Sequence, residues 1–483
     1  MLYFENLLLS FLYSICFRCS PCCLLLSLIA LILLGTIIAA ILLSFLTKPN
    51  SATITISVQP VNATTAASTT ISTTASTTAA STTISTTAST TISTTASTTV
   101  STTASTTAAS TTISTTASTT VSSTALTTST TRVVCTNFTT QITYSTGSGS
   151  KPFPITTGDL KGNGKPDIVV GLSGSDEIGI LFNTGNGTFA GLVKYSVGPG
   201  LTWSVGAVDV NSDGKLDLIV ANSDAGNVGI LLNNGTGTFA PQVIYSTGTG
   251  SQPHSASIVD LNGDNKPDII VANLLSNNIG VLLNTGIGTF GAQVTYPAGS
   301  QPHSVSAIDV NGDNKPDIIV ANNGANNVGV FLNSGAGIFG TQVTYSTGSQ
   351  PHSVAVADVN LDGKPDIIVA NYGSNNVGVL LNTGTGTFGT QMIYATGSQP
   401  YFVVTGDMNG DNKLDIIVAN SASNNVGVLL NIGNGTFGSQ KTYATGYPLY
   451  AVVTADINSD GKLDLIVPNY DGNNVGVFSA DCN

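Results

Sequence analysis

Residues 349–397 read SQPHSVAVADVNLDGKPDIIVANYGSNNVGVLLNTGTGTFGTQMIYATG. Four runs rich in Val, Ile and aromatic residues stand in this stretch: HSVAVAD (352–358), PDIIVAN from Pro365, NVGVLLN from Asn376 and TQMIYA from Thr390. Each is a strand signal, and Gly- and Asn-rich turns separate them. We call them strands a, b, c and d.

Between a and b lies an acidic nonapeptide, DVNLDGKPD; its copy at 309–317 reads DVNGDNKPD. An EF-hand would need a Glu at the twelfth position and flanking helices. The twelfth position is Val320, inside a strand signal. The motif therefore joins two strands. It recurs from Asp159, Asp209, Asp260, Asp309, Asp358, Asp407 and Asp456, at intervals of 49 to 51 residues. Seven regular copies mean a repeat architecture, and four strands per period indicate propeller blades. A solenoid would leave ends that need capping repeats.

The chain ends argue for a closed ring. The last period stops after strand c, at NNVGVFSADCN, whereas CTNFTTQITYSTG precedes the first period and matches NGTFGSQKTYATG. Residues 138–144 are thus expected to supply strand d of the seventh blade, which removes free edges. Superposing repeats places Cys135 and Cys482 on adjacent positions of the c-to-d turn. A Cys135–Cys482 disulfide is expected there, and closing so long a loop contributes several kcal/mol in the chain-entropy account. The fold class expected is all-β: a seven-bladed propeller with strand-exchange closure.

Oxygen-only side chains at positions 1, 3, 5 and 9, with a backbone carbonyl at 7, suit a hard cation such as calcium. The ligand sets are Asp209, Asn211, Asp213 and Asp217 in the second blade, and Asp260, Asn262, Asp264 and Asp268 in the third. They continue with Asp309, Asn311, Asp313 and Asp317, then Asp358, Asn360, Asp362 and Asp366. The last two are Asp407, Asn409, Asp411 and Asp415, and Asp456, Asn458, Asp460 and Asp464. That gives up to six Ca2+ sites. The first blade breaks the pattern, with Lys161 at position 3 and Asn163 at position 5.

The nonapeptide followed by DIIVAN, with a TFG segment or its TFA, IFG or NFT counterpart in each blade, resembles the FG-GAP/VCBS repeat family, and the integrin α-subunit head is similar. The resemblance covers about residues 135–483. It implies a seven-bladed propeller with calcium in a-to-b hairpins on one face, in proteins of adhesion and ligand recognition.

Six residues before each first Asp stand Phe153, Trp203, His254, His303, His352, Tyr401 and Tyr450. These rings begin strand a, so they are expected to circle the channel mouth on the face opposite the hairpins. They are the candidate ligand-binding residues; the plainer reading is a plug. The three imidazoles, one per blade, are expected to lie too far apart to share a transition metal. Pairs such as Asn326 and Asn327 sit in b-to-c turns on the same face, as sugar or protein contacts or as turn residues.

The remaining sequence places this head. Residues 1–21 form a short tail, and 22–46 are 25 residues without charge. That length spans a bilayer as a helix and is read as an uncleaved signal anchor. Cys16, Cys19, Cys22 and Cys23 sit at its edge, where S-palmitoylation is one reading and unmodified thiols the other. Residues 47–132 are dominated by Ser and Thr and lack the means to bury a core. They read as a disordered, mucin-like stalk, extended to on the order of 200 Å. The propeller occupies 133–483. Sequons at Asn62, Asn137, Asn186, Asn234 and Asn434 agree with the secretory side.

Only 8% of residues are charged, and the net charge is −12 with 20 of the 26 acidic residues inside the nonapeptides. Clustered Lys and Arg are missing, which excludes nucleic-acid binding. Beyond the nonapeptides the propeller has only Asp176, Glu177, Asp224, Asp471 and Asp481, so no catalytic carboxylate pair or triad can be built. The expected protein is a plasma-membrane, single-pass adhesion or ligand-recognition protein with an extracellular, monomeric head. The alternative is a calcium-dependent glycan-binding lectin, and secretion is the alternative location.

Overall fold

The computed structural model describes residues 52–58, 69–75 and 137–481. The 22–46 span, its neighbouring cysteines, Asn62, most of the stalk, Cys135 and Cys482 lie outside the described residues. Among the described residues no helix is long and apolar enough to cross a membrane. The chain divides between Leu126 and Thr127. In the first part Ala52–Val58 pairs antiparallel with Thr69–Ala75, Ile56 opposite Ile71. This departs from the expectation of a stalk without regular structure. Thr, Ile and Val dominate both segments, and such β-branched residues fit a pleated ladder.

In the second part each repeat folds into a four-stranded antiparallel sheet. The third blade consists of a (Pro253–Val259), b (Asp268–Asn273), c (Asn278–Leu282) and d (Val294–Pro297), hydrogen-bonded in that order. Strand b is buried along its whole length in every blade. A continuous apolar run suits it because neighbouring blades cover both faces. Strand c carries a glycine over which the side chain of the glutamine just before strand d folds. A Cβ at Gly329 would collide with Gln342, and the same pair recurs as Gly378 with Gln391.

The seventh blade closes as expected. Its first three strands are Val453–Ala455, Asp464–Asn469 and Asn474–Phe478, and the fourth is Ile142–Ser145 from the other end of the ring. Ile142 faces Val477 and Tyr144 faces Val475. A short hairpin between c and d, such as Asn382–Gly384 with Thr387–Phe388, was not expected. In the seventh blade Asn137–Phe138 pairs with Ala480–Asp481 in its place.

Seven apolar clusters hold the ring together, one at each blade–blade interface. Between the third and fourth blades Ile270 and Ile279 meet Val305, Ile318 and Phe331. Each fully buried aliphatic side chain contributes roughly 1.5–3 kcal/mol. The TFG phenylalanine has its role here. Every strand-d tyrosine packs edge-on against the phenylalanine of the next blade, with centroids 4.9–5.4 Å apart, and Phe138 with Tyr443 completes the seventh pair.

A polar tie repeats beside these pairs. The asparagine that opens each c-to-d hairpin donates from Nδ2 to a backbone carbonyl of the preceding blade: Asn183 to Ile457, Asn233 to Leu160, Asn284 to Val210, Asn333 to Leu261, Asn382 to Val310 and Asn431 to Val359. The seventh copy of this position is Ala480. The tie is therefore missing where the seventh blade meets the sixth.

Candidate functional site

The hairpin face is built by the nonapeptides. In the fourth blade Asp309 Oδ1 accepts from the amides of Asn311, Gly312 and Asp313, and Oδ2 from Asn314. The Asn311 side chain caps the Asp313 amide, and Asp313 takes the Lys315 amide and, at 2.9 Å, its ammonium. Asp317 is fully buried and accepts from Val310 and Asn333. Positions 4 and 6 lie in left-handed backbone, as at Gly312 (φ 79) and Asn314 (φ 61), which Gly and Asn tolerate best.

Side chains of one loop thus converge on its own backbone. Among the described residues no three His, Cys, Asp or Glu side chains form a ready-made metal cage. The donor chemistry still fits a hard cation. Burial pushes the position-9 carboxyls up, to about 6 for Asp366, Asp415 and Asp464, against the amide bonds they accept. The loop aspartates at positions 1 and 5 push in the same direction. Three carboxyls crowded this way repel when ionised, and a divalent cation would relieve the repulsion. The residues that would hold it are the six sets named above.

The first-blade loop takes the same path without that set. Asp159 caps the Asn163 and Gly164 amides, and Asp167 those of Leu160 and Asn183. Lys161 at position 3 swings away, its Nζ 3.8 Å from the centre of the Phe182 ring.

The channel mouth is the second candidate. Strand a is out of register with b at Trp203, His254, His303, His352 and Tyr401. A bulge of this kind re-aims the extra side chain. All seven rings meet in a closed rosette. Centroids are 4.8 Å apart for Phe153–Trp203, 3.8 Å for Trp203–His254, His254–His303 and His303–His352, then 4.4, 4.9 and 5.6 Å round to Phe153. The imidazoles are neighbours, contrary to the expectation that one per blade keeps them apart. The bulges bring them towards a common axis.

Burial holds these rings neutral. It lowers His254 to about 3 and His352 to about 4, and His303 falls well below the usual imidazole range. The His303 Nδ1 bonds the His352 carbonyl at 3.0 Å, and His352 Nδ1 is buried without a partner. Below the rosette lies a channel cavity of about 300 Å³, lined by Thr156, Ser204, Ser255, Ser304, Val354 and Phe402 among others. Hydroxyls of Ser204, Ser255, Ser304 and Ser353 accept an amide of the next strand a. They tie the inner ring together.

Two residues at the mouth escaped sequence reasoning. Tyr372 stacks on His352 at 4.5 Å, and Tyr470 meets Tyr450 at 5.2 Å with Lys151 Nζ 5.4 Å from its own ring centre. Their signal was an aromatic residue just after strand b in the fifth and seventh blades only. The Asn pairs resolve as turn residues. Asn326 and Asn375 are left-handed and cap the Gln350 and Gln399 amides. Asn327 and Asn376 accept from the last asparagine of strand b.

The comparisons agree with this architecture. The FG-GAP-like repeat family matches residues 159–220, 209–271, 260–320, 309–369, 358–418 and 407–467. No curated protein sequence matches the chain. Among solved structures, virginiamycin B lyase from Staphylococcus aureus is 16% identical with a TM-score of 0.52, covering 71% of this chain and 100% of its own. BBS1N in complex with ARL6DN is 15% identical with a TM-score of 0.52, covering 71% and 97%. At such identities the likeness shows the fold alone. With six overlapping matches across most of the ring, the chain belongs to the FG-GAP-like repeat family.

Proposed function

We propose that this protein is a cell-surface recognition protein whose propeller binds an extracellular ligand at the channel mouth and is stiffened by calcium at the opposite face. The observation that carries the reading is the aromatic mouth itself. Tyr372 and Tyr470 extend the rosette and remain partly exposed. Clustered aromatic side chains present rigid contact area at little entropic cost. The sequence before the ring supports the location: a 25-residue uncharged span followed by a Ser/Thr-rich segment. A non-enzymatic role is supported by the three imidazoles, which pack against one another at tilted angles, are held neutral by burial, and have no carboxylate hydrogen bond among the described residues.

The test is binding of the ectodomain, residues 47–483, to a glycan array and to panels of matrix and cell-surface proteins, with calcium and with chelator. Protein hits weakened by Tyr372→Ala and Tyr470→Ala support this reading. Saccharide hits weakened by the same changes favour the lectin, for which stacking aromatics are the supporting feature. Hits indifferent to both substitutions would sink the mouth as the site.

A further inference from the structure

The structure brings four sequons to one half of the hairpin face. Asn186 and Asn434 occupy the same left-handed position (φ 50 and 53) in the c-to-d hairpins of the first and sixth blades. Asn234 lies two residues earlier in the hairpin of the second blade, and Asn137 lies in the Asn137–Phe138 pairing of the seventh. These blades are consecutive round the ring: six, seven, one, two. All four side chains are exposed. Each hairpin tip packs on the preceding nonapeptide: a Cβ at Gly187 would meet Asn458, and one at Gly435 would meet Asn360. It also lies near its own blade's lysine, as Lys165 Nζ bonds the Thr184 carbonyl.

The third, fourth and fifth blades have no sequon at these tips. Ile287 stands where Asn186 stands in the first blade, left-handed (φ 51) and 81% exposed, and Ile338 is 58% exposed. A β-branched residue in left-handed backbone, open to water, stabilises nothing in the fold.

We infer that N-linked glycans shield the hairpin face over blades six, seven, one and two, and leave the nonapeptides of the third and fourth blades bare. The inference goes beyond the mouth and rests on the proposed secretory exposure. In the transfer, Asn Nδ2 bonds the anomeric carbon of a polyprenyl-diphosphate-linked oligosaccharide. The anomeric C–O bond breaks, the diphosphate leaves, and the amide proton passes to base. The bare arc keeps two complete oxygen sets, from Asp260 and Asp309, whereas the incomplete first-blade set is covered.

The experiment is glycopeptide mapping of the full chain made in a secretory eukaryotic host. Lysine labelling with an amine-reactive probe follows, before and after enzymatic deglycosylation. Lys165, Lys413 and Lys462 are flanked by sequon hairpins on both sides, and Lys266 and Lys315 by bare ones. Glycans are expected at all four asparagines. Deglycosylation should raise labelling of the first three lysines several-fold and leave the other two unchanged. As a control, Ile287→Asn creates Asn-Gly-Thr and should make Lys266 respond. Glycans at Asn62 with Asn186 and Asn434 unmodified would overturn this inference alone, as would equal responses of both lysine groups. A C-terminal part protected from protease on intact cells, with no glycan anywhere, would overturn the cell-surface reading and this inference together.

Discussion

Loops 159–167 and 309–317 follow one backbone path with different side chains. Both have Asp at positions 1 and 9, and both use those carboxylates to cap backbone amides. They differ at positions 3 and 5, where Lys161 and Asn163 replace Asn311 and Asp313. The hairpin therefore does not need the full oxygen set in order to fold. Positions 1 and 9 cap the turn in both loops, whereas Asn311 and Asp313 add caps of their own and supply the further oxygens that a cation would use. One degenerate copy among seven separates what the turn needs from what a cation would need.

The largest effect should fall on what the two loops share. Asp167→Ala and Asp317→Ala each strand two buried amides, at about 1–3 kcal/mol apiece. Urea unfolding should show similar losses for both, and a neutral Asp167→Ala would break the shared-scaffold account. Next comes what they do not share. Asn311→Lys should remove one of six calcium equivalents in a calorimetric titration, and Lys161→Asn with Asn163→Asp should add one. Unchanged stoichiometry in both would remove the metal reading.

A pH series sharpens the same contrast. Without metal, a position-9 carboxyl at about 6 is raised above its unfolded value. Its stabilising contribution is complete below about pH 4 and is lost as pH rises through 6. Calcium favours the ionised form, so the gap in Tm between loaded and metal-free protein should widen from pH 4.5 to 7. Comparing the two at each pH cancels the buried imidazoles. Those act oppositely, since their lowered values withdraw stability as pH falls below about 6.5. A flat gap would contradict metal binding at position 9. The smallest effect is local. Leu361 holds position 4 at φ 62 while 63% exposed, and four other blades have glycine there. Leu361→Gly should raise stability by up to about 1 kcal/mol, the relieved left-handed strain less the entropy of glycine.

The blade order, the four strands and the strand-exchange closure were legible because periodicity and a displaced strand d are one-dimensional facts. The TFG phenylalanine was legible only as a motif, since its tyrosine partner belongs to the previous blade, as Tyr345 with Phe388. The imidazole spacing failed because it depends on bulges at His254, His303 and His352, which strand patterns do not encode. The loop residues were identified by type, but their capping of backbone amides was not. Spacing of 1, 3, 5 and 9 describes a turn and a ligand set equally well.

Closure by Ile142–Ser145 has a mechanical consequence. The chain enters the ring through the strand that closes it, so tension applied before Asn137 reaches the seventh-blade joint first. The first bonds loaded are the two-residue ladder of Asn137–Phe138 with Ala480–Asp481. The adjoining interface is the one without an asparagine tie. A pull thus meets the ring at one place, where the expected Cys135–Cys482 bridge would carry the load that the ladder otherwise takes.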